Sequence, residues 1–291
     1  MTDAYAVDKR QVRRSFEAAA AGYDRAAALQ NEICTRMLER LEYIKLEPET
    51  ILDAGSGTGN AVAGLTSRYR GARIVALDLA LAMARRTRAR RSWWREVLDL
   101  HGGGLAAVCG DIESLPIASA RLDMVWSNLA LQWVNEPRRA FAELHRALKN
   151  GGLLMFSSFG PDTLKELRAA YRSADGRAHV HRFIDMHDIG DMLIEAGFAD
   201  PVMDMEYVTL TYDELRHLMR DLKTIGAHNA ALGRPAGLGG KSVLAAVTRS
   251  YEALRSGGKL PATFEVIYGH AWKPAQRIGP SGRPVIDIKP R

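Results

Sequence analysis

The stretch Ile51-Leu52-Asp53-Ala54-Gly55-Ser56-Gly57-Thr58-Gly59 reads as a short buried strand running into three alternating glycines, and a helix is expected from Asn60. Glycines at this spacing make a tight turn whose backbone can lie against a ligand. A dinucleotide site asks for Gly-x-Gly-x-x-Gly and a helix N-terminus aimed at pyrophosphate. Here Asn60 and Ala61 follow Gly59, so that spacing fails. Asp53, ending the strand just before the glycines, would repel a pyrophosphate but suits a cationic ammonium, directly or through water.

Outward from this loop, strands and helices alternate. Ala72–Asp78, Leu105–Cys109, Leu122–Ser127 and Leu153–Phe159 read as strands, with helices over Leu81–Arg91 and Pro137–Leu148 and a stop at Gly151-Gly152. Continuous apolar strands separated by helices point to a mostly parallel sheet covered on both faces, the doubly wound α/β class. Upstream, Lys9–Tyr23 and Leu29–Ile44 read as helices. Downstream, helices are expected at Thr163–Ser173, Met186–Ala196, Tyr212–Asn229 and Lys241–Ser256, and strands at Val202–Leu210 and Phe264–Ala271. This gives an N-terminal helical lid over 1–48, a main domain over 49–272 with helical insertions near 160–187 and 212–257, and a proline-bearing tail over 273–291 without fixed structure.

Two more acids end the next two strands. Asp78 can accept both hydroxyls of a ribose, and Asp111 can accept a hydrogen bond from an adenine amino group while Ile112 and Met83 sandwich the ring. Three acids at successive strand ends fit one nucleoside with a positively charged tail, which describes S-adenosylmethionine. Each Asp alone could instead cap the following helix.

Composition narrows the class further. At 291 residues, 47% hydrophobic and 25% charged, the chain is neither disordered nor a disulfide scaffold. Cys34 and Cys109 form no CxxC pair and carry no zinc spacing, so both read as reduced and structural, no metal is expected, and the setting is cytoplasmic. No signal peptide or membrane span is visible. The net charge of +6 suits an acidic partner. Arg85, Arg86, Arg88, Arg90, Arg91 and Arg95, with Trp93 and Trp94 between them, resemble a nucleic-acid surface, but no accompanying motif supports one and a solvated helix face is the plainer account. Arg216, His217, Arg220 and Lys223 form a second basic group on the helix from Tyr212.

With these motifs the chain resembles the class I S-adenosylmethionine-dependent methyltransferases over about residues 50–160, which implies a seven-stranded sheet with its last strand antiparallel. Segments in both halves resemble one subgroup, the malonyl-acyl-carrier-protein O-methyltransferases of biotin synthesis: Ser15-Phe16 with Ala18–Asp24, Gly110–Pro116, Trp126–Trp133, His181-Arg182-Phe183 and Met219–Ala227. The same resemblance extends to mitochondrial complex I assembly factors, one of which acts as an arginine hydroxylase. It implies methyl transfer to the free carboxylate of a malonyl group carried on an acidic acyl carrier protein. Apart from the resemblance, a monomer is expected, with no membrane or nucleic-acid partner. Such a carboxylate is ionised at neutral pH and needs no general base. The residues alone leave open another acceptor, a hydroxylation, or a non-catalytic nucleoside- or RNA-binding module.

Under this reading Phe16, Tyr23, Asp53, Gly55, Ser56, Gly57, Asp78, Leu79, Met83, Asp111, Ile112, Asn128, Leu129 and Trp133 hold the cofactor. Phe16 and Tyr23, seven apart on one helix face, form a lid. Tyr23 and Gln132 face the transferred methyl, and Arg182, whose planar fork matches a carboxylate, clamps the acceptor. His145 and His187 are structural.

Overall fold

A computed structural model describes residues 6–90, 104–175, 179–180, 182–227 and 240–275. Its centre is a seven-stranded sheet in the order β3-β2-β1-β4-β5-β7-β6. The strands are β1 (Thr50–Ala54), β2 (Arg73–Asp78), β3 (Gly104–Cys109), β4 (Leu122–Asn128), β5 (Leu148–Phe159), β6 (Ala199–Tyr212) and β7 (Leu260–Trp272). The first five are parallel; β7 runs antiparallel between β5 and β6. The doubly wound sheet expected from the sequence is therefore present. The last two strands do pair, although helical chain separates them.

Strand periodicity assigns the core. Ile51, Met124, Trp126, Leu153 and Met155 point into one apolar cluster, with Ile33, Met37 and Leu65. Their neighbours Leu52, Val125, Leu154 and Phe156 point into the other, with Phe141, Leu144 and Leu193. A two-residue side-chain period with both faces apolar requires helices on both faces. Described helices are α1 (Lys9–Ala19), α2 (Tyr23–Ala26), α3 (Ala28–Arg40), α4 (Asn60–Arg68), α5 (Leu81–Ala89), α6 (Pro137–Ala147), α7 (Lys165–Asp175), α8 (Met186–Glu195), α9 (Leu215–Thr224) and α10 (Lys241–Glu252).

Two expected boundaries move. The first helix stops at Ala19, and Gly22 opens the separate short helix α2, so Phe16 and Tyr23 do not share one helix. Gly151-Gly152 lies inside β5: Leu148 pairs with Leu122 before the register shifts and Leu153 pairs with Met124, so the glycines form a bulge rather than a helix stop. Glycine suits it because Gly151 has φ 80°. Arg91, Trp93, Trp94, Arg95, His181, Asn229 and the tail beyond residue 275 lie outside the described residues.

Candidate cofactor and acceptor site

In open α/β sheets, ligands sit beyond the carboxyl ends of the strands where the strand order reverses. That point here is the β1/β4 junction, and a cavity of about 330 Å³ opens over it. The loop after β1 forms its floor. Gly55 has φ 81°, and a Cβ there would stand 2.1 Å from Ala130 Cβ, so the loop can pass Ala130 only without a side chain. Gly57 has φ 54° and lies beneath Tyr23, whose ring would be 3.9 Å from an added Cβ.

Asp78 ties this loop to the next helix. Its Oδ2 accepts from Gly57 N–H and its Oδ1 from Ala80 N–H, both at 2.8 Å. Each oxygen keeps a lone pair for a ligand hydroxyl. Burial pushes its pKa up to about 6, reinforced by Glu17 and opposed by those two N–H donors. Behind the loop, Asp53 is 2% exposed and does not line the cavity. Burial and the neighbouring Asp78 push its pKa up to about 7, and its Oδ2 has no hydrogen-bond partner. Ser56 is likewise buried off the wall, its hydroxyl unpartnered. For both residues the expectation of direct contact is corrected: the chain turns at Gly55 so that backbone, not these side chains, faces the cavity.

Leu79, Met83, Asp111 and Ile112 line the wall where the adenine ring was expected. Asp111 is more engaged than expected, since Oδ2 takes Lys9 Nζ at 2.5 Å and Oδ1 accepts from Glu113 N–H at 3.0 Å. Across the cavity the chain leaves β4 through Leu129 at φ 51°, strained for a branched residue. Leu129 N–H donates to Ser157 Oγ, and that hydroxyl donates to Asn128 Oδ1 at 2.8 Å. Gln132 lines the cavity with Oε1 unpartnered, and Trp133 meets Phe16 edge-on at 5.4 Å.

The roof is the N-terminal segment. Glu17 of α1 accepts from Leu81 and Ala82 N–H at 2.6 and 2.9 Å, capping the free end of α5 from another element. Asp24 accepts from Thr58 and from Arg90 at 3.0 Å, and Arg90 also donates to Thr58 O. Arg86 and Arg90 thus serve the roof rather than a free basic face. Tyr23, although its edge reaches solvent, keeps its phenol proton, because burial and then Asp78 and Asp24 raise its pKa. Phe16 and Tyr23 both reach the cavity, from two helices instead of one.

The far half of the cavity was not read from the sequence. Phe159, Leu164, Leu167, Tyr171, His179, Phe183, Leu210, Tyr212, Met219 and Phe264 line it. Leu164, Leu167 and Tyr171 have helical spacing on α7 and its lead-in, a signal that an ordinary core face shares. Arg182 is exposed and does not line this cavity; it borders a small cleft on the other side of Phe183 and Gln132. The clamp expected there is not brought to the site, because the buried Phe183 takes the inward position. His145 packs edge-on with Phe198 and His187 bonds Asp185, outside the cavity as expected.

The residues present fit S-adenosylmethionine: the cavity spans a carboxylate with spare lone pairs and an apolar ring slot at Met83 and Ile112, and behind the glycine loop, off the wall, Asp53 adds a carboxyl group whose Oδ2 has no protein partner. Residues 52–156 match the methyltransferase domain family. The malonyl-(acyl-carrier protein) O-methyltransferase of Gallionella capsiferriformans is 55% identical over 97% of both chains. That of Nitrosospira multiformis is 57% identical over 93% of this chain and 91% of its own. Among solved structures, Haemonchus contortus phosphoethanolamine N-methyltransferase 2 in complex with S-adenosyl-L-methionine aligns with TM-score 0.53 at 19% identity, covering 89% of this chain and 57% of that one. Among the described residues no helix is long and apolar enough to cross a membrane. With a site of this geometry and identity running through both halves, the chain is an S-adenosyl-L-methionine-dependent methyltransferase and belongs to the family of the malonyl-(acyl-carrier protein) O-methyltransferases.

Proposed function

We propose that this protein transfers the methyl of S-adenosylmethionine to the free carboxylate of a malonyl group on acyl carrier protein. The observation that carries the reading is the extent of the likeness, 55% over 97% of the chain, which includes the acceptor half as well as the glycine loop. The chemistry agrees. A malonyl carboxylate is ionised at neutral pH, so the nucleophile is ready and no base is required.

When bound, the cofactor supplies an activated methyl. The protein's work is then orientation and exclusion of water. Asp78 holds the ribose end, Leu79, Met83 and Ile112 enclose the ring, and Asn128 and Leu129 set the backbone beside the methionine end. Phe16 and Tyr23 close the roof. Residues 6–48 act as the lid, and the two helical segments after β5 and after β6 cover the acceptor. The apolar far half keeps water from the methyl. The ester product has lost its charge, so an enzyme system that elongates apolar acyl chains can accept it.

The acidic carrier approaches from the side of α9. Arg216 is partly neutralised by Glu214 at 2.5 Å, whereas Arg220 and Lys223 are exposed and Lys223 also reaches the cavity. Such surface charges speed encounter and weaken with salt. The experiment is a product assay by mass spectrometry with malonyl-carrier protein, malonyl-coenzyme A and free dicarboxylic acids as acceptors. A gain of one CH₂ on malonyl-carrier protein is expected. No gain on active carrier protein overturns the proposal.

A further inference from the structure

The far half of the cavity is apolar, yet the acceptor it is proposed to take is an anion. An unpaired carboxylate in such surroundings is strongly disfavoured unless it meets a donor. Most polar groups in that half are spent. Thr163 Oγ1 donates to Glu265 O at 3.1 Å, and the Tyr212 hydroxyl is bonded to Asp221. Lys9, a cation of the near half, is committed to Asp111 and Glu113. Arg182 lies outside, and Lys223 stands on the exposed rim.

His179 differs from all of these. It lines the cavity, its side chain is 17% exposed, and its Nε2 lies 2.8 Å from Asp175 Oδ2, itself 15% exposed. Its ring stacks on Tyr171, centroids 4.0 Å apart and planes 16° from parallel. Asp175 and Tyr171 are both on α7, so a rigid element fixes the ring from one edge and one face. A carboxylate at one ring nitrogen orients the imidazole, leaving Nδ1 for another partner.

We infer that His179, backed by Asp175 and stacked on Tyr171, is the receptor for the acceptor's carboxylate. This rests on the proposed reaction. In the occupied site the imidazole stands between two carboxylates, Asp175 at Nε2 and the acceptor at Nδ1. One acceptor oxygen is held and the other is left to attack the methyl, so that an O–CH3 bond would form as the S–CH3 bond breaks and its electron pair stays on the departing thioether sulfur. After transfer the ester carries no charge, and the charged contact with the ring is gone. The same group therefore grips the substrate and lets the product go. Tyr171, Asp175, Tyr212, Asp221 and Lys223 are the titratable groups around this half of the cavity.

The test compares malonyl-carrier protein as substrate with acetyl-carrier protein, which lacks the carboxylate, as competitive inhibitor. Wild type is measured first; absence of methyl transfer there would sink the proposed reaction rather than this assignment. In His179→Ala the KM for malonyl-carrier protein is expected to rise about ten-fold or more, the scale of losing one charged hydrogen bond. The inhibition constant for acetyl-carrier protein and cofactor affinity by calorimetry should stay put. Asp175→Asn, which keeps a hydrogen-bonding side chain but loses the charge, should shift KM in the same direction by less, and it carries the test if His179→Ala is unstable. A KM unchanged in both variants, or a rise matched by the acetyl inhibition constant, overturns the assignment.

Discussion

The two halves of the cavity are built by different means. The near half is made of strand ends and their loops: Gly55, Gly57, Asp78, Leu79, Asp111 and Leu129 sit within a few residues of β1, β2, β3 or β4. The far half is assembled from α7, β5, β6, β7, α9 and the segment around His179, elements that are remote in sequence. The first carries carboxylates and amides among its apolar side chains, whereas the second is lined mostly by apolar side chains. Under the proposed function the near half recognises a fixed nucleoside by hydrogen bonds, and the far half excludes water and admits an acceptor. Gly226, at φ 75°, joins them: a Cβ there would meet Phe16 and Ser15 O at 3.2 Å, so the end of α9 packs directly on the lid helix.

The largest effect expected from breaking this division is in the loop. Gly55→Ala would force its Cβ into Ala130 at a φ that L-residues avoid. Cofactor binding measured by calorimetry should be lost, and the melting temperature should fall. A variant that still binds with wild-type affinity would show the loop to be free to move away from β4.

Next in size is Asp78→Ala. It removes the ribose acceptor and frees Gly57 and Ala80 N–H together. Cofactor affinity should weaken by about 1–3 kcal/mol. An unchanged affinity with a lower melting temperature would make Asp78 a cap for α5 only.

Asp53 sharpens the comparison through pH. Its folded pKa of about 7 lies above the ordinary 3.8, so the folded protein holds a proton that the unfolded chain releases. Stability from this group is complete below about pH 4 and is lost as pH rises through about 7; Asp78, raised to about 6, acts in the same direction. A cationic ligand end favours the ionised form. The rise in melting temperature on adding cofactor should accordingly be greater near pH 8 than near pH 5.5. Asp53→Asn should flatten that difference and stabilise the ligand-free protein at the higher pH. An identical pH dependence in Asp53→Asn would place the titration elsewhere.

The contrast between the halves also explains what the sequence made legible. Short-range order decides the near half: a strand, a turn residue and an acid are adjacent in the chain, so β1 through β5, the glycine loop, Asp78 and Asp111 could be placed from local pattern. Direct contact by Asp53 and Ser56 could not, because which side of a glycine turn faces the ligand is set by Ala130, 75 residues beyond Gly55. The break after Ala19 was hidden by an alanine-rich run that favours helix on both sides of it. Leu164, Leu167 and Tyr171 look like any core stripe until β7 and α9 are laid across from them. The signal for His179 was weaker still, since a histidine four residues from an aspartate becomes informative only when both are seen at a cavity wall.

Arg182 gives the smallest expected effect and the finest test of where the halves end. Its exposed side chain sits beyond the buried Phe183, and from there it can act on an acidic carrier only at long range. Arg182→Ala should leave cofactor affinity unchanged and lower kcat/KM for malonyl-carrier protein by about two- to five-fold at low salt, as for a rim charge. At high ionic strength the two proteins should converge, because screening removes the interaction that the substitution removes. A loss that persists undiminished in salt would mean that the arginine swings inward past Phe183 when the acceptor binds, and that the carboxylate has a second, short-range partner which this arrangement of the far half does not provide.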